Sequence, residues 1–120
     1  MQYLANDRGE RQGLFTVADA TAAPWLWLGT GLGTGSTFGE PIGGYGIEID
    51  HTSPESPPGT IVLAQIPDLF GAGLTAQMSY YETPAGAKVF AAGALDFGGS
   101  ATTSPIDTML ENLWARLTKP

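Results

Sequence analysis

The sequence predicts an α+β fold: mostly antiparallel β-strands, as a sandwich or a curved sheet, closed by one C-terminal amphipathic helix. Three observations carry that prediction. Short runs alternate apolar and polar residues with period two. Seventeen glycines and nine prolines in 120 residues punctuate those runs with turns. A single apolar stripe of helical period appears at the end. The length suits one domain over residues 1–120, with a modest core.

The elements follow in order. Residues 1–13 are polar and charged and read as a frayed arm or a leading turn. Leu14–Ala18 is rich in β-formers and reads as a strand. Pro24–Leu28 (PWLWL) reads as a second strand, apolar on both faces and therefore central. Gly29–Gly44 is the most glycine-dense stretch and reads as a loop or a glycine-bent hairpin. Tyr45–Asp50 alternates, with Tyr45, Ile47 and Ile49 on one face and Glu48 and Asp50 on the other. Thr52–Gly59 holds three prolines and is a loop. Thr60–Ile66 is a strand with a β-branched start, and Pro67–Gly73 is a turn.

Thr75–Glu82 and Ala87–Leu95 form the clearest hairpin, joined by Thr83-Pro84-Ala85-Gly86 with proline at the second turn position. Ala76, Met78 and Tyr80 share one face of its first strand. The closing helix has Ser104 as N-cap, Pro105 at the first helical position and Asp107 in the first turn. Ile106, Met109, Leu110, Leu113, Trp114 and Leu117 form its stripe, and Arg116 and Lys119 complement its C-terminal end.

Composition removes several functions. Twelve acids against five bases give a formal charge of −7. The bases (Arg8, Arg11, Lys88, Arg116, Lys119) are scattered, whereas nucleic acid and anionic membranes need clustered cations. Neither partner is expected. The apolar runs are too short to span a bilayer, and the N-terminus does not read as a signal peptide, so a soluble protein is expected. With no cysteine, disulfides, thiolate metal sites and cysteine nucleophiles drop out.

The motifs that carry chemistry are few. Gly29-Thr30-Gly31 is followed by Thr34 where a dinucleotide fingerprint needs glycine, and no lysine precedes Lys88 to complete a phosphate loop. The serine-hydrolase elbow is absent, with Ser36 and Ser100 as the nearest approaches. One histidine cannot build a paired-histidine zinc site. No cofactor and no metal are expected.

What remains is Glu48, Asp50 and His51. Two carboxylates two residues apart on a strand project from one face, and their mutual repulsion raises one pKa toward the range of a general acid. His51 follows at the strand end. Such a set serves hydrolysis of an amide or a glycosidic bond, or is a solvated acidic edge with no chemistry. Tyr45, Tyr80, Tyr81 and Trp27 are the candidate substrate-binding aromatics for a small molecule or a sugar, with core packing as the plain alternative.

Several short motifs in order carry a resemblance. Trp27-Leu28-Gly29-Thr30-Gly31-Leu32, Gly43-Gly44-Tyr45-Gly46-Ile47-Glu48-Ile49-Asp50, Met78-Ser79-Tyr80-Tyr81-Glu82-Thr83 and Val89-Phe90-Ala91-Ala92-Gly93 together resemble the C-terminal end of the N,N-dimethylformamidase large-subunit family. The likeness spans roughly residues 24–117, closing helix included. It implies a place in a glutamine-amidotransferase-like α/β domain of a longer chain. It implies an amide hydrolase with one iron held by two tyrosines and a glutamate, ligands that lie upstream of the part matched here. A glutamate in a G-Y-x-x-D-like segment of that family falls at Glu48.

Together these readings point to a hydrolase of amide-type C–N bonds using Glu48 and Asp50 with His51. A glycoside hydrolase using the same carboxylates, and a non-catalytic binding or assembly module derived from an amidohydrolase-like chain, are the alternatives. A homodimer is expected, because a cysteine-free chain of this size has few other ways to cover the surface a parent domain would hide.

Overall fold

The computed structural model describes residues 2–6, 13–39, 48–94, 97–98 and 101–120, with backbone alone for 2–6 and 48. Its elements are β1 (Gln2–Asn6), β2 (Phe15–Val17), α1 (Pro24–Trp27), β3 (Thr37–Phe38), β4 (Glu48–His51), β5 (Ile61–Ile66), β6 (Ala76–Glu82), β7 (Lys88–Ala91) and α2 (Ile106–Leu117). Five strands form an antiparallel sheet in the order β3-β2-β5-β6-β7, and β1 and β4 form a separate antiparallel pair. This is the expected α+β class, mostly β, with its C-terminal helix.

The β6–β7 hairpin forms as its alternation requires. Gly86 N–H donates to the Thr83 carbonyl at 2.9 Å, closing the turn around Pro84. Ala76, Met78 and Tyr80 are all buried on one face of β6. Met78 and Leu63 are fully buried, and each such side chain contributes about 1.5–3 kcal/mol to folding. Phe15 stacks on Phe38 at 5.6 Å and meets Phe97 edge-on at 6.2 Å, giving the core an aromatic cluster.

Pro24–Leu28, expected as a central strand, is instead the helical turn α1 followed by a reversal. Pro24 at the start fixes a helix-compatible φ and lacks only an N–H that a first turn leaves unused. Gly29, at φ +76°, supplies the left-handed step that ends the turn. Five residues are too few to separate a period of 2 from one of 3.6. The consequence is large, because Trp25 and Trp27 now point in different directions rather than sharing a face.

Three smaller differences accompany it. Gln2–Asn6, expected within a frayed arm, forms β1 and pairs with β4, with a bulge between Tyr3 and Ala5. The closing helix starts one residue late, with Pro105 rather than Ser104 as N-cap and no side-chain cap. Asp107 N–H donates instead to the Thr103 carbonyl at 3.0 Å. In the helical stripe Ile106, Met109 and Leu113 are buried, but Trp114 is 70 % exposed. Residues 40–47, 95–96 and 99–100 lie outside the described residues, and with them Tyr45, Leu95 and Ser100.

The two sheets are joined through Gly93. Its carbonyl accepts the Asp50 N–H at 3.0 Å, and the neighbouring Ala94 bridges to Ile49. Just past the end of β4, Thr52 donates its N–H and its hydroxyl to Gln77 Oε1 at 2.8 and 2.9 Å. Gly93 also has φ +78°, and a Cβ there would lie 2.0 Å from the Gln77 carbonyl oxygen. Both the backbone shape and the close approach therefore demand glycine.

Gly93→Ala is accordingly expected to lower unfolding free energy by roughly 3 kcal/mol, whereas Gly33→Ala, at a residue with open space, stays within about 0.5 kcal/mol. Chemical denaturation of the two variants against the parent measures both.

Candidate functional site

The β4 strand carries the residues first singled out for chemistry. Its backbone runs antiparallel to β1, with His51 opposite Gln2 and Asp50 opposite Tyr3. Alternation sends Asp50 to one face and Ile49 and His51 to the other. Ile49 is 1 % exposed, so the face it shares with His51 is the inner one. His51 Nδ1 is buried there, with no hydrogen-bond partner among the described residues. Asp50 stands on the opposite face, and each of the two residues as a whole is half-buried. The strand therefore keeps Asp50 and His51 apart. The side chain of Glu48 and the whole of Tyr45 lie outside the described residues.

The candidate substrate-binding aromatics divide as well. Trp27 is core: it is 5 % exposed and its ring lies 5.8 Å from that of Phe38. Its Nε1 is buried without a partner among the described residues. Tyr81 is half-buried and leaves β6 on the face opposite Tyr80.

Tyr80 belongs to a cluster that the sequence did not announce. Its hydroxyl donates to Glu82 Oε1 at 2.6 Å, two residues along the same face of β6. Arg116, from α2, donates Nη2–H to the same oxygen at 2.7 Å and lies 3.4 Å from the Tyr80 hydroxyl through Nε. The guanidinium also sits 5.2 Å from the ring centre of Trp25, which meets Tyr80 edge-on at 5.0 Å. Asn112 fixes the neighbouring turn by donating to the carbonyls of Leu26 and Leu28 at 3.0 and 2.7 Å. Beside this cluster Trp25, Leu28, Asn112, Ala115, Arg116 and Lys119 line a groove of about 190 Å³.

The cluster shifts the acidity of its members. The Tyr80 hydroxyl and then the Arg116 guanidinium hold the Glu82 carboxyl below the usual glutamate range. Burial, and then its bond to Glu82, pushes the Tyr80 hydroxyl up. Bonds to Tyr80 and Glu82 raise Arg116 further, so it stays charged at any working pH. The spacing of Tyr80 and Glu82 on one strand face was a readable signal. Arg116 was not, because its partners lie 36 and 34 residues away.

An iron held by two tyrosines and a glutamate does not fit these residues. Tyr80 and Glu82 do meet, but Arg116 already occupies the carboxylate oxygen with a full positive charge, and Tyr81 faces away. Among the described residues no three aspartate, glutamate or histidine side chains gather in a way that could hold a metal ion. No helix among them is long and apolar enough to cross a membrane.

The family model described as N,N-dimethylformamidase beta subunit-like, C-terminal, matches residues 1–108. The span takes in β1, before the stretch that carried the resemblance, and ends inside α2. No curated protein and no solved structure matches.

The acidity shifts set a pH profile with a definite sign. Glu82, lowered in the fold, contributes stability above the ordinary glutamate pKa and loses it as pH falls through its depressed value. Asp19, lowered by its bonds from Thr21, adds to the same acid limb. Tyr80, raised in the fold, contributes below the ordinary tyrosine pKa and loses it as pH rises through its raised value. Melting temperature followed against pH should fall at both ends. The difference between parent and Glu82→Gln should shrink on the acid limb only, and that between parent and Tyr80→Phe on the alkaline limb only.

Proposed function

The chain belongs to the N,N-dimethylformamidase beta subunit-like, C-terminal family, and on that premise we propose that it serves hydrolysis of an amide-type C–N bond as a supporting module rather than as the reacting centre. The bond type rests on the family. The supporting role rests on one observation: β4 turns Asp50 and His51 to opposite faces, with the His51 side against the core. An acid/base pair has to reach one substrate from one side. His51 shares the inner face with Ile49, so it does not stand beside Asp50 as its base. A glycosidic bond gains no support from Trp27 and Tyr80, two of the candidate substrate-binding aromatics, because both are buried.

In this reading the chain contributes a rigid wall. Arg116, Glu82 and Tyr80 hold α2 against the Tyr80 face of β6, and the β1–β4 pair is tied to the sheet through Gly93 and Gln77.

Release of dimethylamine from N,N-dimethylformamide, and of ammonia from simple primary amides, tests the role. The chain by itself, and its Glu48→Gln, Asp50→Asn and His51→Ala variants, are expected to match the uncatalysed rate. Turnover by the parent that drops roughly a hundredfold or more in Asp50→Asn or His51→Ala would make β4 a reacting strand after all.

A further inference from the structure

The helix α2 has a second face that nothing among the described residues covers. Ile106, Met109 and Leu113 turn inward. Glu111, Trp114, Ala115 and Thr118 fall at i, i+3, i+4 and i+7, and all four are exposed. Trp114 is 70 % exposed and Leu28, across the adjoining groove, is 73 % exposed. Trp114 and Leu28 are thus two large apolar side chains left in water, Leu28 in the wall of the groove beside α2.

The charges around the patch decide its occupant. Glu111 and Lys119 lie equally far from Ala115 along the chain, on its two sides. Laid antiparallel on itself about Ala115, the segment brings each Glu111 to the other copy's Lys119. Ala115, the smallest side chain of the exposed row, then stands at the crossing and lets the backbones approach. Each Trp114 is carried toward the other copy's groove, where Trp25, Leu28 and the Arg116 guanidinium offer an apolar and cationic wall to an indole. Three of the five bases gather at this end of the molecule: Arg116, Lys119 and Lys88, whose Nζ bonds to the Lys119 carbonyl. Locally they offset the repulsion that a formal charge of −7 per copy would otherwise impose.

We propose that the exposed face of α2 is a two-fold self-association surface. In it two copies cross antiparallel at Ala115, exchange Trp114 into each other's Trp25–Leu28 groove, and pair Glu111 with Lys119 twice. Such an interface is isologous, using the same patch on both partners. It does not depend on the reaction class: a monomer leaves the amide-bond reading intact, and an inactive dimer leaves this surface intact. Most of α2 lies beyond residue 108, where the family match ends, so this surface is read from the chain's own residues.

Sedimentation equilibrium over a wide concentration range tests it, with circular dichroism checking that each variant keeps the parent's fold. The parent is expected at twice its 12.5 kDa chain mass. Trp114→Ala, at an exposed position, should weaken the dimer by roughly thirtyfold or more, as loss of an interface tryptophan does. Glu111→Lys alone and Lys119→Glu alone should each weaken it by roughly tenfold, and the double variant should recover the parent's affinity. A parent that stays monomeric at every concentration overturns the proposal and leaves the groove to a different partner. A dimer indifferent to Trp114→Ala, or a double variant that fails to recover, overturns it equally.

Discussion

The structure depends on the close approach of Gly93 to the backbone of Gln77. With φ +78° and a virtual Cβ 2.0 Å from the Gln77 carbonyl oxygen, this position excludes every side chain. The approach lets the β7 exit strand carry the β1–β4 pair onto the large sheet. Asp50 N–H is bound to the Gly93 carbonyl, Ile49 bridges to Ala94, and Gln77 Oε1 takes two bonds from Thr52. Once β4 is pinned at these points its register is set, and a one-residue slip would turn Ile49 out of the core. The faces of Asp50 and His51 follow from that register. The strand period separates the two candidate reacting groups, and the register pinned at Gly93 decides which of them faces the core.

The opposite face of β6 is organised by Tyr80. It is buried, yet its hydroxyl reaches the edge where Glu82 and Arg116 meet, so one side chain joins the core to a polar rim. Exposed ion pairs contribute little by themselves. Here the Arg116–Glu82 pair is combined with a buried hydroxyl and with Trp25 beneath the guanidinium, and its effect is to fix the position of α2. Asn112 acts on the same helix from the other side, tying it to the carbonyls of Leu26 and Leu28. With α2 placed this way, Met109 and Leu113 point in, and Glu111, Trp114 and Ala115 point out. The outer face left by that arrangement is what makes self-association a physical expectation.

The parts of the fold that local pattern can specify were legible in the sequence. The β6–β7 hairpin has clean alternation and a proline-glycine turn, and α2 has a stripe long enough to establish its period. The failures share a cause. Pro24–Leu28 is too short to show a period: a strand reading puts Trp25 and Trp27 on one face, whereas Trp27 lies against Phe38 in the core. The polar arm gives no sign of β1 because its partner strand lies more than forty residues away and supplies the reason to pair. The Tyr80–Glu82–Arg116 cluster was half visible: the i, i+2 spacing places the first two together, but only the packing of α2 brings in the third. For Glu48 and Asp50 the strand period predicts a shared face, and the Glu48 side chain lies outside the described residues. The same period separates His51 from Asp50.

The central claim is that β4 is held rigidly to the main sheet by its own backbone, so that Asp50 and His51 cannot turn to one side together. Amide hydrogen exchange of Asp50 and Thr52 measures this most directly. Their N–H groups bond to Gly93 and to Gln77 at 3.0 and 2.8 Å. Protection comparable to that of the amides shared between β5 and β6 is the predicted result. Exchange at Asp50 and Thr52 as fast as in the Thr83–Gly86 turn would mean that β4 detaches readily, and would contradict the account.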